Sequence, residues 1–281
     1  MTTLTKSRRK ATPSAAILVL SLLYFMLPLW WLLVSATKSN GSLFNSNGFW
    51  FDSPQLWTNL QRTFTASDGL FTRWMGNSLF YASTAAVVGT LLAAAAGYVI
   101  GKFEFRGKGF VFGIILAGVL VPSALLTIPL YFVASWAGLT NTVWAVIIPA
   151  CVSPFGVYLA RVYAEASVPN EILEAARMDG AGELRIFFTI VLRILSPALV
   201  TIVLFIFVAT WTNFMLPLVM FNDSELYPVT LGLYSWQSYK GASNYDIVLT
   251  GALISIIPLM IAFFSLQRFW RSGLTVGGVK G

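Results

Sequence analysis

The sequence predicts an all-α integral membrane protein with six transmembrane helices, both termini in the cytoplasm and a short cytoplasmic helix between the fourth and fifth spans. Three observations carry this prediction. Hydrophobic residues make up 57% of the 281 residues and charged ones only 10%, against about 25% charged in soluble domains. Six uncharged runs approach or exceed the ~20 apolar residues that an α-helix needs to cross the hydrocarbon layer. The basic residues, finally, alternate with these runs in a one-sided way.

The six runs extend approximately over Ala15 to Ala36, Trp74 to Ile100, Gly109 to Trp136, Thr142 to Leu159, Ile194 to Phe221 and Ile247 to Gln267. Pro122 and Pro129 fall in the third, Pro149 and Pro154 in the fourth and Pro258 in the sixth. Neighbouring helices and hydroxyl side chains re-satisfy backbone groups freed by proline inside a membrane, so bent spans are expected there. The first run follows Lys6, Arg8, Arg9 and Lys10 and resembles a secretory signal. Its length exceeds a signal core, and it ends in Leu29-Trp30-Trp31, an aromatic belt, so it reads as an uncleaved anchor.

With the N-terminus inside, the cytoplasmic segments hold fourteen of the 18 Lys and Arg residues, leaving Lys38, Arg62, Arg73 and Lys240 outside. Cytoplasmic loops of membrane proteins carry such an excess. The formal charge of +7 is thereby explained by topology, with no need of a nucleic-acid partner. The organisation that follows is a cytoplasmic segment over 1–14, a six-span domain over 15–272 containing a cytoplasmic loop over 165–193, and a cytoplasmic tail over 273–281.

Composition also excludes chemistries. Histidine is absent, which removes Ser-His and Cys-His dyads and histidine metal sites. Cys151 is the only cysteine and lies in an apolar run, so neither an intrachain disulfide nor a cysteine metal site is expected. Between Gly101 and Gly107-Lys108-Gly109 stand five residues where a phosphate loop has four, and no Ser or Thr follows the lysine. Bound metals or cofactors are not expected in this chain. A secondary transporter of a polar solute is the alternative reading, but the six runs contain no ionisable side chain of the kind that ion-coupled pathways use.

Three connections are long enough to have structure of their own. Thr37 to Arg73 reads as a surface loop whose Trp50, Phe51, Leu56 and Trp57 rest on the membrane. Asn222 to Asp246 carries Tyr234, Trp236 and Gln237, which suit a sugar or a docked protein, or form an interfacial aromatic belt. Glu165 to Arg193 predicts a helix of about three turns. Pro169 falls in its first turn, Glu171 and Glu174 sit at the positive end of its dipole, and Gly180 is its left-handed stop. Ile172, Ala175, Ala176 and Asp179 fall near one face, and the paired alanines let another surface approach.

Glu174-Ala175-Ala176, then Asp179-Gly180-Ala181, Phe187 and Pro197, resemble the cytoplasmic loop signature of bacterial ABC importer permeases. Asn77-Ser78, Ala96-Gly97-Tyr98, Phe103 to Gly107, Ile128-Pro129-Leu130-Tyr131, Gly138 to Asn141, and Trp211, Asn213, Phe214 and Pro217 resemble the carbohydrate branch of that family. The closing Gly273 to Gly281 resembles the tail of the maltose-type inner permease subunit. Leu192-Arg193 departs from the Leu-Pro common there.

The resemblance implies a sugar permease of the bacterial inner membrane. It would pair with a second homologous permease above two ATP-binding subunits, which hold the ATP and Mg, and receive solute from an extracytoplasmic binding protein or lipoprotein. It implies that Glu174, Ala175, Ala176, Asp179, Gly180 and Ala181 form a coupling helix seated in an ATPase cleft. Gly273, Leu274, Thr275 and Lys280 would touch the ATPase interface. Thr210, Trp211 and Asn213 are candidates for the sugar pathway, with aromatic packing as the other reading of Trp211. Tyr234, Trp236 and Gln237 are candidates for contact with the binding protein.

Overall fold

The computed structural model describes residues 13–238 and 244–274, and among these every regular element is helical. Four helices are long and apolar enough to cross a membrane: Ala15–Ala36, Leu56–Lys102, Trp144–Ser167 and Tyr245–Gln267. Two further pairs, Lys108–Leu120 with Ser123–Trp136 and Glu183–Ile194 with Ser196–Trp211, qualify together but are bent by 101° and 85°, which gives up to six spans. The third run is therefore a broken rod, more sharply bent than proline kinks require, and the second bend falls at Leu195, where the fifth run begins. At the first break, Pro122 excludes the helical conformation from Val121, which is extended at φ −78°, ψ 121°.

The chain forms two compact units. The first holds α1 (Pro13–Ala36), α2 (Asn40–Asn45), α3 (Leu56–Thr65) and the stretch Trp236–Ile254, which includes the start of α15 (Tyr245–Leu274). The side chains of α1 are exposed along most of its length, as expected of a helix that faces lipid or another subunit. Its C-terminal end is fixed by a polar knot. Asn59 of α3 donates through Nδ2 to the carbonyls of Ala36 and Lys38, both at 2.9 Å, and Thr250 of α15 donates to Ala36 at 3.1 Å. Arg62 pairs with the buried Asp246. Lys38, only 1% exposed, is satisfied by Ser46 Oγ at 2.9 Å and the carbonyl of Asn47 at 2.6 Å. Buried charges persist where they are paired or hydrogen-bonded in this way.

The second unit is built on α4 (Leu70–Lys102), α5 (Lys108–Leu120), α6 (Thr127–Trp136), α7 (Trp144–Ala150) and α8 (Pro154–Ser167), followed by α9 (Asn170–Met178) and α10 (Glu183–Ile186). A π-helical turn, Phe187–Val191, leads into α11 (Leu192–Ile194), α12 (Ser196–Trp211), α13 (Met215–Met220) and α14 (Val229–Ser238), which belongs to this unit up to Ser235. The close contact is α4 on α8, where Ala93, Gly97 and Gly101 meet Gly156, Ala160 and Ala164, each set repeating every fourth residue; Gly89, one step earlier on the same stripe, meets the backbone of Cys151. Small residues let helix backbones approach in a membrane, where dispersion contacts replace the hydrophobic effect as the cohesive force. Gly97 is the tightest point: a Cβ there would stand 2.5 Å from Ala160 Cβ and 2.6 Å from the Arg161 nitrogen.

At its N-terminal end α4 grips the connection before α14. Trp74 Nε1 donates to the Ser224 carbonyl at 2.7 Å and Tyr81 Oη to that of Leu226 at 2.9 Å. Asn77 Nδ2 reaches the carbonyls of Glu225 and Tyr227 at 2.7 and 3.0 Å, and Arg73 Nε that of Glu225 at 3.1 Å. These donors recur at i, i+1, i+4 and i+8, one face of the helix, and supply the loop's carbonyls with partners that irregular backbone cannot find in itself.

Candidate functional site

The loop after α8 forms the helix expected of it, with different bounds and with an inward anchor outside the face singled out in the sequence. Val168 and Pro169 are extended, Pro169 is the N-cap at φ −67°, ψ 136°, and α9 has nine residues, about two and a half turns. Proline thus precedes the first turn. The end is a left-handed cap: Gly180 has φ +80°, its N–H meets the Arg177 carbonyl at 3.0 Å, and the Ala181 N–H meets the Ala176 carbonyl at 3.0 Å. This paired arrangement is the Schellman motif, which needs a residue that tolerates positive φ.

Leu173, absent from the face expected in the sequence, is the buried anchor of α9. It packs with Tyr98, Ala164, Val168, Ile186, Phe187 and Val191, and Ala176 and Ala181 lie against the same cluster. Of the expected face, Ala176 turns inward, while Ile172, Ala175 and Asp179 are exposed together with Glu174 and Gly180. The reason is volume: with one inward stripe available to so short a helix, leucine three residues before Ala176 buries the larger apolar area. The outward side carries Ile172 and Met178, the latter 88% exposed, and Leu184 of α10 is exposed beyond them.

Polar contacts hold α9 from both ends. Lys102 Nζ donates to Asn170 Oδ1 at 3.1 Å, and Arg177 Nε donates to Glu183 Oε1 at 2.7 Å. The hydrogen bond to Glu183, with its negative charge, raises the pKa of the Arg177 guanidinium further above its ordinary value. Beside α9, Arg161 of α8 pairs with Glu165 at 2.9 Å and lies 3.6 Å from the ring centroid of Phe112.

The pathway candidates cluster at the end of α12. Thr210 and Trp211 are buried, and Trp211 stacks on Phe207 with centroids 5.7 Å apart. Asn213 is half-buried at the break before α13, where its Oδ1 accepts from the Leu216 N–H at 3.3 Å and its carbonyl accepts from Thr230 Oγ1 at 3.0 Å. On α14, Tyr234 and Gln237 are exposed and Trp236 is buried. The Tyr234 ring meets Phe214 edge-on at 4.9 Å. Of the tail candidates, Gly273 and Leu274 are the last residues of α15, and Thr275 and Lys280 lie outside the described residues. No group of three acidic, cysteine or histidine side chains able to hold a metal occurs among the described residues.

Residues 89–275 match the family described as binding-protein-dependent transport system inner membrane component. The arabinooligosaccharides transport system permease protein AraQ of Bacillus subtilis is 32% identical over 265 residues, covering 94% of this chain and 93% of that one. AraQ of Halalkalibacterium halodurans is 37% identical over 213 residues, 76% of each chain. A chain in the crystal structure of a bacterial ABC transporter involved in the import of the acidic polysaccharide alginate superposes with a TM-score of 0.81 over 96% of this chain, at 21% identity, a likeness of fold. The chain belongs to the inner membrane permease components of binding-protein-dependent ABC transport systems.

Proposed function

We propose that this chain forms half of the membrane pathway of an ATP-driven importer for a short, neutral oligosaccharide. The observation that carries the reading is the family match over 89–275, which contains the whole α9 loop, joined to a near full-length likeness to permeases named for arabinooligosaccharides. A second homologous permease supplies the other half. Two ATP-binding subunits, which hold ATP and Mg, lie beneath, and an extracytoplasmic binding protein or lipoprotein delivers the sugar. Residues 15–272 are the six-span permease domain, with 1–14 and 273–281 in the cytoplasm and the exposed side of α1 against membrane lipid.

Glu174, Ala175, Ala176, Asp179, Gly180 and Ala181 belong to the coupling element. Its outward apolar side, Ile172, Ala175 and Met178, finds no cover within α9 itself and suits a cleft of an ATP-binding subunit. Glu174 is exposed and available to a basic partner. Gly180 turns the chain back towards the membrane, and Gly273, Leu274, Thr275 and Lys280 add a second contact with the same subunits. Closure of the ATP-binding subunits displaces α9 and tilts the spans, which can occur only because the docking contacts differ between the two states. Asn213 borders the sugar pathway with Thr210 and Trp211 as the wall behind it. Tyr234 and Gln237 meet the binding protein, with Trp236 as their buried support.

The test is the intact assembly in vesicles with its binding protein and a panel of arabinotriose, maltotriose and raffinose. ATP-dependent uptake of at least one of them is expected. Accumulation of none, or accumulation without the ATP-binding subunits, would sink the reading.

A further inference from the structure

One carboxylate gathers the elements around α9. Arg177 Nε donates to Glu183 Oε1 at 2.7 Å, and Tyr98, near the C-terminal end of α4, donates through its hydroxyl to Glu183 Oε2 at 3.4 Å. The Arg177 guanidinium also lies 5.5 Å from the centroid of the Phe103 ring. Tyr98 meets Phe103 edge-on at 5.4 Å and stacks on Phe187 at 6.0 Å. With Lys102 on Asn170, both ends of α9 are thus tied to the last turns of α4.

Two properties of the surroundings give this clamp a consequence. The first is that α9 is a nine-residue helix between an extended Val168-Pro169 and a left-handed Gly180, points where the chain can swivel, and only Leu173 and Ala176 pin it from below. The second is that α4 is an unbroken helix of 33 residues without proline, about 50 Å long. Its far end holds the carbonyls of Ser224 to Tyr227 through Trp74, Arg73, Asn77 and Tyr81. A displacement of α9 that reaches α4 is therefore carried to the opposite end of the unit.

We propose that Glu183 is a positioning residue of the transport cycle: through Arg177 and Tyr98 it locks α9 to α4, so that a push on α9 moves α4 instead of rolling α9 about Val168-Pro169 and Gly180. This rests on α9 being the element that docks on the ATP-binding subunits. The Arg177–Glu183 pair is half-exposed, with side chains 40% and 46% accessible. Pairs of that kind contribute little to stability, so removing it leaves α9 folded on Leu173 while loosening its orientation.

The experiment uses the intact assembly in vesicles with its binding protein and an equimolar mixture of arabinotriose, maltotriose and raffinose, and measures sugar taken up per ATP hydrolysed. Glu183→Gln is expected to lower that ratio about two- to fivefold, the equilibrium weight of one half-exposed ion pair, while hydrolysis continues. Tyr98→Phe lowers it less, Arg177→Glu lowers it at least as far, and the double exchange Arg177→Glu with Glu183→Arg recovers part of it. An unchanged ratio in both Glu183→Gln and Tyr98→Phe would overturn the proposal. So would a parallel fall of uptake and hydrolysis with fewer ATP-binding subunits co-purifying, the mark of a merely structural residue. Met178→Asp, on the outward side of α9, separates the two levels. If it leaves uptake intact, docking through α9 is itself wrong; if it abolishes uptake while Glu183→Gln does nothing, only the clamp fails.

Discussion

Two glycines of the same helix give the packing argument a quantitative test. A methyl group added at Gly97 would come within 2.5 Å of Ala160 Cβ and 2.8 Å of the Ala160 carbonyl carbon, mostly backbone that cannot step aside, whereas at Gly76 nothing stands within 4 Å. Both lie inside α4, so the gain in helix propensity on replacing glycine by alanine, up to about 1 kcal/mol, is shared. The overpacking cost of about 1–3 kcal/mol falls on Gly97 alone. Gly76→Ala should therefore leave the thermal midpoint unchanged or raise it slightly. Gly97→Ala should lower it relative to Gly76→Ala by several degrees, at about 2–4 °C per kcal/mol for a domain of this size. Intrinsic tryptophan fluorescence of the purified assembly during heating measures both. A Gly97→Ala protein as stable as Gly76→Ala would mean that α4 and α8 do not approach as closely as the small-residue stripes indicate.

The polar knot of the first unit should behave as a compensated buried charge. Arg62→Ala leaves Asp246, 1% exposed and with its second oxygen already unpartnered, without its cation, and should cost about 1–3 kcal/mol. Adding Asp246→Asn should return part of that loss in the same melting assay, and failure of the second substitution to help would refute the pairing. On α14, Tyr234→Ala and Gln237→Ala should weaken stimulation of ATP hydrolysis by the binding protein; Gln237→Ala should leave the melting temperature unchanged, and Tyr234→Ala, which loses its edge-on contact with Phe214, should lower it only slightly. Trp236→Ala, by emptying a buried site, should cost about 3–5 kcal/mol and lower the midpoint as well. The reverse pattern would exchange the roles of the exposed and buried residues. Gly180→Ala forces alanine into a left-handed conformation at about 1–2 kcal/mol, and should lower uptake more than ATP hydrolysis. Equal loss of both would argue for misfolding.

The class of protein, the positions of the apolar runs and the left-handed stop at Gly180 were all legible in the sequence, because composition, run length and the absence of a Cβ are local properties. The direction of each run was not. Hydropathy registers that residues 109–136 are apolar but is blind to the bend at Val121-Pro122, since each half remains apolar after it, and the bend at Leu195 falls at the very edge of the run over 194–221, where run length carries no signal. The inward anchor of α9, Leu173, was not singled out, because the paired alanines mark the face that another surface approaches and say nothing of which residue fixes the helix from below. The stripe of Gly89, Ala93, Gly97 and Gly101 carried a visible four-residue period and could have identified the helix that packs most closely. Glu183 and the donors of α4 gave no such signal. Their partners are a guanidinium six residues away and loop carbonyls about 150 residues away, and carbonyls are the same in every sequence.

Whether α9 receives the force that moves the pathway can be measured directly, because the chain has a single cysteine to remove. With Cys151→Ala as background, a Met178→Cys variant places a unique thiol on the outward side of α9, and a Trp136→Cys variant places one at a comparably exposed residue of α6. In the assembled transporter a short thiol cross-linker at position 178 should capture an ATP-binding subunit, with a yield that changes on addition of ATP, and the same reagent at position 136 should not. A thiol at position 178 that captures no ATP-binding subunit in an assembly still transporting sugar would mean that α9 does not receive that force.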